Sequence, residues 1–152
     1  MLDNKLFDAE KLSIVEFKLL KGQVEASENF VVENTKDYKI DNHLELAFNL
    51  DEKLAKADFI VDITANSKES REEAKANFHF VYFFKVDNLN ELAIINDKNL
   101  MDVNSALANA LSSISYSTSR GILLTRLQGT PLQGFILPVI NPNSLITPTN
   151  TN

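Results

Sequence analysis

Apolar residues recur with a period of two over the first 87 positions and at steps of three and four in the later part of the chain, so strands come first and a helix follows. Residues 12–20, LSIVEFKLL, are β-branched and aromatic, with Val15, Phe17 and Leu19 on one side of an extended chain and Leu12, Ile14 and Leu20 on the other. Extended character resumes from Val24 to Val32 after Gly22, which predicts one long strand with a bend. A polar stretch, residues 33–42, then crosses to the next element. There Leu44, Leu46, Phe48 and Leu50 alternate with Glu45, Ala47 and Asn49, the pattern of a half-buried strand. Ala57, Phe59, Val61, Ile63 and Ala65 form the next row, opposed by Asp58, Ile60, Asp62, Thr64 and Asn66, as in an antiparallel neighbour. The charged segment SKESREEAK, residues 67–75, predicts an exposed connection. In the fourth strand Ala76, Phe78, Phe80, Tyr82, Phe84 and Val86 line one face without a polar interruption. The other face is apolar at Val81 and Phe83, which calls for a cover.

A helix is predicted from an N-cap at Asp97 or Asn99 to about Leu124, with Leu100, Val103, Leu107, Leu111 and Ile114 as its apolar stripe. Ser105, Ala106, Ala108, Asn109, Ser112 and Ser113 are small neighbours, and long charged side chains are scarce from Val103 to Ser119. A helix of this kind implies contact on a second face, with another chain or a bound segment. Beyond it, Gly129, Pro131, Gly134, Pro138, Pro142 and Pro148 rule out long regular elements. Phe135, Ile136, Leu137, Val139 and Ile140 nevertheless place this arm against the body. The expectation is an α+β domain over residues 1–146, with a four-stranded antiparallel sheet, one long helix packed on one face and an extended apolar C-terminal arm. A flexible polar tail, residues 147–152, completes it.

Composition adds mainly exclusions. The chain has 152 residues, 44% hydrophobic and 24% charged, which suits one folded domain. Its net charge of −6 lacks the basic field that nucleic-acid binding requires. Absence of cysteine removes disulfides, thiol nucleophiles and Cys-ligated zinc. The start, with Asp3, Asp8 and Glu10, reads as an uncleaved cytoplasmic beginning rather than a secretory signal, and no apolar run is long enough for membrane insertion.

Candidate chemistry is sparse. His43 and His79 have no third histidine or cysteine to complete a metal site. Glu69, Glu72 and Glu73 fall in the charged connection and Asp58 and Asp62 on a polar strand face, where solvation accounts for them. Gly129 and Gly134 have the spacing of a phosphate loop, but Phe135 and Ile136 follow instead of lysine and serine. Ser112, Ser113, Ser115, Ser117 and Ser119 lack a GxSxG elbow, so helix packing explains them better. Arg120 and Arg126 could grip a carboxylate or phosphate, yet near a helix end they also complement its negative partial charge, a role that needs no ligand. These residues point to binding rather than catalysis, with no metal or other cofactor.

The layout resembles the SecB family of export chaperones. The local likeness is greatest in SISYSTSRGILLTRLQGTPLQGFILPVINPNSLI, where Tyr116, Arg120, Arg126, Gly129, Leu137, Pro138, Val139 and Asn141 stand in an order comparable to the family's closing signature. The aromatic strand around Phe78 to Val86 is similar to the family's fourth strand, and Tyr38 resembles the aromatic residue of its crossover between the first two strands. The resemblance implies an ATP-independent holdase for unfolded polypeptides, built as a homotetramer, a dimer of dimers, with the long helices between sheets. It implies client grooves lined here by Phe30, Tyr38, Phe83, Phe135, Ile140 and Leu145, and partner-facing helix residues Ala106, Ala108, Asn109, Ser112 and Ser113. Contact with the translocation motor SecA, made in the family through acidic positions on the exposed sheet, is not clearly reproduced, since Tyr82, Phe84 and Lys85 occupy the fourth strand. SecB-like relatives also guard antitoxins, and a structural or adaptor protein with one folded partner is the other reading of the same apolar surface.

Overall fold

The computed structural model describes residues 2–146. Leu12–Ala26 (β1), Thr35–Asn49 (β2), Leu54–Ser67 (β3) and Glu72–Val86 (β4) form one antiparallel sheet in the order β1-β4-β3-β2. β2, β3 and β4 are joined by tight turns, whereas residues 27–34 carry the chain from the β1 edge to the β2 edge. The predicted tail, residues 147–152, lies outside the described residues.

β1 shows why simple alternation misleads. Ile14 and Glu16 pair with the successive residues Phe84 and Phe83, and Leu19 and Lys21 with Phe80 and His79, so Val15 and Leu20 are each an extra residue in a bulge. Every bulge reverses the alternation. As a result Leu12, Ile14, Phe17, Leu19, Gly22 and Val24 all oppose inward residues of β4 on a single face, regrouping the two rows expected from the sequence. At Gly22 the space is tight, since a Cβ would lie 3.1 Å from the Leu19 side chain and 3.3 Å from the Phe78 ring.

Three other expectations are corrected. β2 begins at Thr35, because Tyr38 and Ile40 already alternate with Lys39 and Asp41 and pair with Ala65 and Ile63; the polar residues merely sit on the outward face. Tyr38 therefore belongs to a strand, not to the crossover. The connection expected over residues 67–75 shrinks to residues 68–71, since Glu72 onward pairs with β3. Tyr82 and Phe84 are buried on the core face, so of the three fourth-strand residues weighed against SecA contact only Lys85 lies on the outer face.

The long helix also starts later than predicted. A single turn, Leu89–Leu92 (α1), leads into a small hairpin of Ala93–Ile95 (β5) and Met101–Val103 (β6), and Ser105–Arg126 (α2) follows. The side chain of Asn96 accepts the N–H groups of Lys98 and Leu100 and so closes the hairpin turn. Leu100 and Val103, which fit the helical stripe by spacing, precede the helix.

α2 packs on the inner face of the sheet. Leu107, Leu111, Tyr116 and Leu123 point inward, and Ser112, Ser115 and Ser119 are buried beside them. These serines each donate to a carbonyl one turn back, on Ala108, Leu111 and Ser115, all at 2.7 Å. Small, internally satisfied side chains let the helix lie close on the sheet, whose inner face is itself small at Ala55, Ala57, Ala74 and Ala76. Aromatic rings run across the layer, with centroid separations of 6.4 Å for Phe17–Phe80, 6.2 Å for Phe80–Phe59 and 5.4 Å for Phe59–Tyr116.

Asn104 ties three segments together. Its Oδ1 accepts the Leu107 N–H at 3.1 Å as the helix N-cap, while its Nδ2 donates to the Leu2 and Lys5 carbonyls at 2.8 and 3.3 Å. Replacing this buried residue by alanine removes cap and anchor together, and Asn104→Ala is expected to lower stability by about 2 kcal/mol. Asn104→Asp, which keeps only the cap acceptor, should recover part of that loss. Urea midpoints at unchanged slope measure both.

Candidate functional site

The C-terminal arm runs from the end of α2 toward the free edge of β2. Its turns over residues 127–134 include Gly129 at φ 75, the left-handed region that glycine adopts readily. Leu132, Phe135 and Leu137 are buried, whereas Ile136 and Val139 face outward with 62% and 88% exposure. Residues 136–140 make no backbone hydrogen bond to another described residue's backbone. Their polar anchorage comes instead from α2. Arg120 donates through Nε to the Leu137 carbonyl at 2.8 Å and through Nη2 to the Pro138 carbonyl at 3.0 Å, and the Tyr116 hydroxyl donates to the Pro138 carbonyl at 2.6 Å. The Arg120 guanidinium lies 5.2 Å from the centre of the Tyr116 ring, which fixes its plane. Neither a bound anion nor the helix end explains Arg120, and its role as the holder of the arm was hidden from sequence because carbonyl groups carry no sequence signal.

At the near end of the arm, Phe135 meets Tyr38 edge-on with ring centres 5.3 Å apart. Gly134 fits tightly beside them, since a Cβ there would lie 3.1 Å from the Tyr38 hydroxyl and 3.8 Å from Val32. Phe30 is buried in the crossover, next to the exposed Val31. Farther along, Ile140 and Leu145 pack against the core, the Asn143 side chain donates to Asn109 at 3.0 Å, and Ile146 bridges to Leu44 at the β2 edge. The arm thus brings Phe135 directly to Tyr38 and strings Ile140 and Leu145 along the same flank.

Phe83 is not among them. It lies on the outer face of the sheet, where the Lys18 ammonium sits 5.6 Å from its ring centre and a hollow of about 260 Å³ is lined by Ala47, Phe48, Leu54, Lys56 and Phe83. Val81 on the same face is buried between its register partners Lys18 and Asp58, so side chains of the neighbouring strands, the Lys18 stem above all, supply the cover that the sequence called for. Of the helix positions considered for partner contact, Ala106 is exposed, Ala108 and Ser113 are half-buried, Ser112 is buried within the chain, and Asn109 is engaged by Asn143.

The outer face carries another feature that sequence alone could not assemble. Register places Asp41 directly opposite Asp62 and Glu45 opposite Asp58, two like-charged cross-strand pairs. His79 bonds to Asp58 at 2.8 Å, Lys56 approaches the same carboxylate at 3.3 Å, and Asn77 donates to Asp62. At the opposite end of the sheet a polar hollow of about 300 Å³ is lined by Ser27, Glu28, Asn29, Phe30, Asn34, Arg71 and Glu73. The Asn34 side chain donates to neighbouring Glu69 and holds that carboxyl below its ordinary value. Among the described residues no group of three His, Asp or Glu side chains is placed to hold a metal ion, and no helix is long and apolar enough to cross a membrane.

With this geometry in view, comparison with known proteins is informative about the fold. No protein-family model matches the chain, and no curated protein matches it by sequence. Among solved structures, the chain is similar to the SecB-like chaperone Rv1957 of Mycobacterium tuberculosis, in complex with a ChAD peptide from the HigA1 antitoxin. The TM-score is 0.55 at 16% identity, covering 87% of this chain and 92% of that one. A protein of unknown function from Streptococcus agalactiae aligns at TM-score 0.33 and 12% identity, over 84% of this chain and 97% of that one. The α+β architecture, a four-stranded antiparallel sheet with one long helix, is therefore a distant SecB-like fold.

The two buried tyrosines give the site's surroundings a pH signature. Burial raises the Tyr82 hydroxyl above its ordinary value, outweighing the effect of its 2.8 Å hydrogen bond with Ser119, and burial likewise raises Tyr116, against the opposing Arg120 charge. The folded chain therefore keeps protons that the unfolded chain releases above about pH 10, so this stability is complete below that pH and declines as pH rises. Urea midpoints measured between pH 8 and 11 should fall at the alkaline end, and Tyr82→Phe should flatten the fall.

Proposed function

We propose that this protein is an ATP-independent holdase that binds unfolded or non-native polypeptides on apolar surface beside the crossover and the C-terminal arm, and that it works as a homo-oligomer, a tetramer built as a dimer of dimers. The observation that carries the reading is the amount of apolar surface left over by one subunit. Ile14, Val15, Phe17 and Leu20 are exposed on β1, and Val31, Ile136 and Val139 on the crossover and arm. Lone exposed apolar residues are ordinary, but strings of them along one strand and one arm mark surfaces that expect a partner. In this reading sister copies cover the β1 side and the outward face of α2 that carries Ala106 and Ser113, and client segments dock near Tyr38, Phe135, Phe30, Ile140 and Leu145. Phe83, on the other face, belongs to a separate apolar patch.

The mechanism needs no nucleotide, cofactor or catalytic group. A client's apolar segment leaves water on docking, which contributes roughly 25 cal/mol for each Å² of apolar area before ordering costs are subtracted. The net charge of −6 keeps a loaded complex in solution and favours clients whose apolar anchors are flanked by basic residues. This action fits a cytoplasmic protein. A second reading, a chaperone dedicated to one partner such as an antitoxin, draws its support from the neighbour of like fold that was solved with an antitoxin peptide.

The expected outcome is substoichiometric suppression of the aggregation of a denatured protein, followed by light scattering. Tyr38→Ser combined with Phe135→Ser should reduce binding well beyond tenfold, since an aromatic anchor of this kind is typically worth about 2 kcal/mol. Retained secondary structure by circular dichroism separates that loss from unfolding. Capture of one defined folded protein without any protection of denatured clients would instead identify an adaptor.

A further inference from the structure

Resting on the holdase reading, we infer that the arm is a closing strap, and that Arg120 and Tyr116 are the latch that sets how often the Tyr38–Phe135 slot opens. Three observations converge on this. First, the slot is closed in the present arrangement. Phe135 is 3% exposed with its ring against Tyr38, and Gly134 leaves no room for even a methyl group without displacing the Tyr38 hydroxyl. An incoming apolar side chain cannot enter until the arm moves away. Second, the means of attachment is local. Residues 136–140 take no part in any sheet ladder, and three hydrogen bonds from two helix side chains to the Leu137 and Pro138 carbonyls hold the backbone. Pro138 has no N–H, so this stretch is poorly suited to building a ladder instead. Third, the arm's outer row is greasy rather than polar, with Ile136 and Val139 in water, so the closed position leaves apolar surface unsatisfied on one side of the strap.

A segment held by side chains through its carbonyls opens without breaking a strand or a helix. Its opening draws on local rather than global stability, as expected of binding-site elements. The apparent affinity for a client then equals the intrinsic affinity reduced by the fraction of molecules in the open state. Arg120 and Tyr116 are positioning residues on this account. They touch the arm and not the client, and weakening them should tighten client binding.

The test uses the full chain, with reduced and carboxamidomethylated lysozyme as a permanently unfolded, basic probe. Conformational exchange of the Ile136, Leu137, Val139 and Ile140 methyl groups within residues 136–141, read by NMR relaxation dispersion, reports the strap, and a fluorescence titration reports affinity. Arg120→Ala should speed exchange in that stretch and lower the dissociation constant by at least about tenfold, given two charge-assisted hydrogen bonds. Tyr116→Phe keeps the buried ring and removes a single bond, so it should produce a smaller change in the same direction, on the order of twofold to fivefold. It also guards against a misfolded Arg120 variant. Faster exchange with unchanged or weaker binding in Tyr116→Phe would overturn the strap, because the arm would then be a fixed wall of the site. Unchanged exchange in both variants would overturn the latch. If the wild-type protein and both variants all fail to bind the probe, the holdase reading falls and the strap with it, whereas a binding wild type that its variants do not surpass removes the strap alone.

Discussion

One helix is too narrow for this sheet, and most of the architecture follows from that mismatch. An α-helix with its side chains is about 10 Å across, while four strands about 4.8 Å apart span roughly 14 Å between the outermost backbones. α2 cannot cover all four strands. On the β2 side the deficit is made up by the arm, which lays Phe135, Ile140, Leu145 and Ile146 along that flank. On the β1 side no segment among the described residues performs that task, and Ile14 and Phe17 remain exposed on the face that the helix occupies. An apolar arm and an apolar bare strand are thus two responses to the same geometric shortage.

Much of the fold was legible because its inner face is written without ambiguity. Ala57, Phe59, Val61, Ile63 and Ala65, followed by Phe78, Phe80, Tyr82, Phe84 and Val86, alternate cleanly and are buried as a set. Legibility failed where the two-residue period was shifted, disguised or imitated. The bulges at Val15 and Leu20 shift it, a change that propensity does not register. Polar outward residues disguise it between Thr35 and Asp41, where only Tyr38 and Ile40 mark the inward side. Leu100 and Val103 imitate a helical stripe by standing seven and four residues before Leu107, although they precede a cap at Asn104.

Within the candidate site the aromatic members were readable and the connections were not. Tyr38 and Phe135 stood out as bulky residues in weakly apolar or proline-broken surroundings, and the fold sets their rings in contact. Phe83 looked equivalent by residue type but parity places it on the opposite face, a distinction settled by register alone. Arg120 was noticed for its charge and assigned to an anion or a helix end. Its actual partners are main-chain oxygens 17 and 18 residues later, which no side-chain motif announces.

The paired carboxylates on the outer face have an effect beyond their own strands. Asp41 with Asp62 and Glu45 with Asp58 hold like charges at separations of about 5 Å across neighbouring strands, near the middle of the sheet. Such a surface resists lamination, because laying a second sheet upon it would strip water from charges that already repel one another. Stacking of copies into layers through this face is thereby opposed, and most of the exposed apolar residues lie at the β1 edge, the crossover and the arm instead.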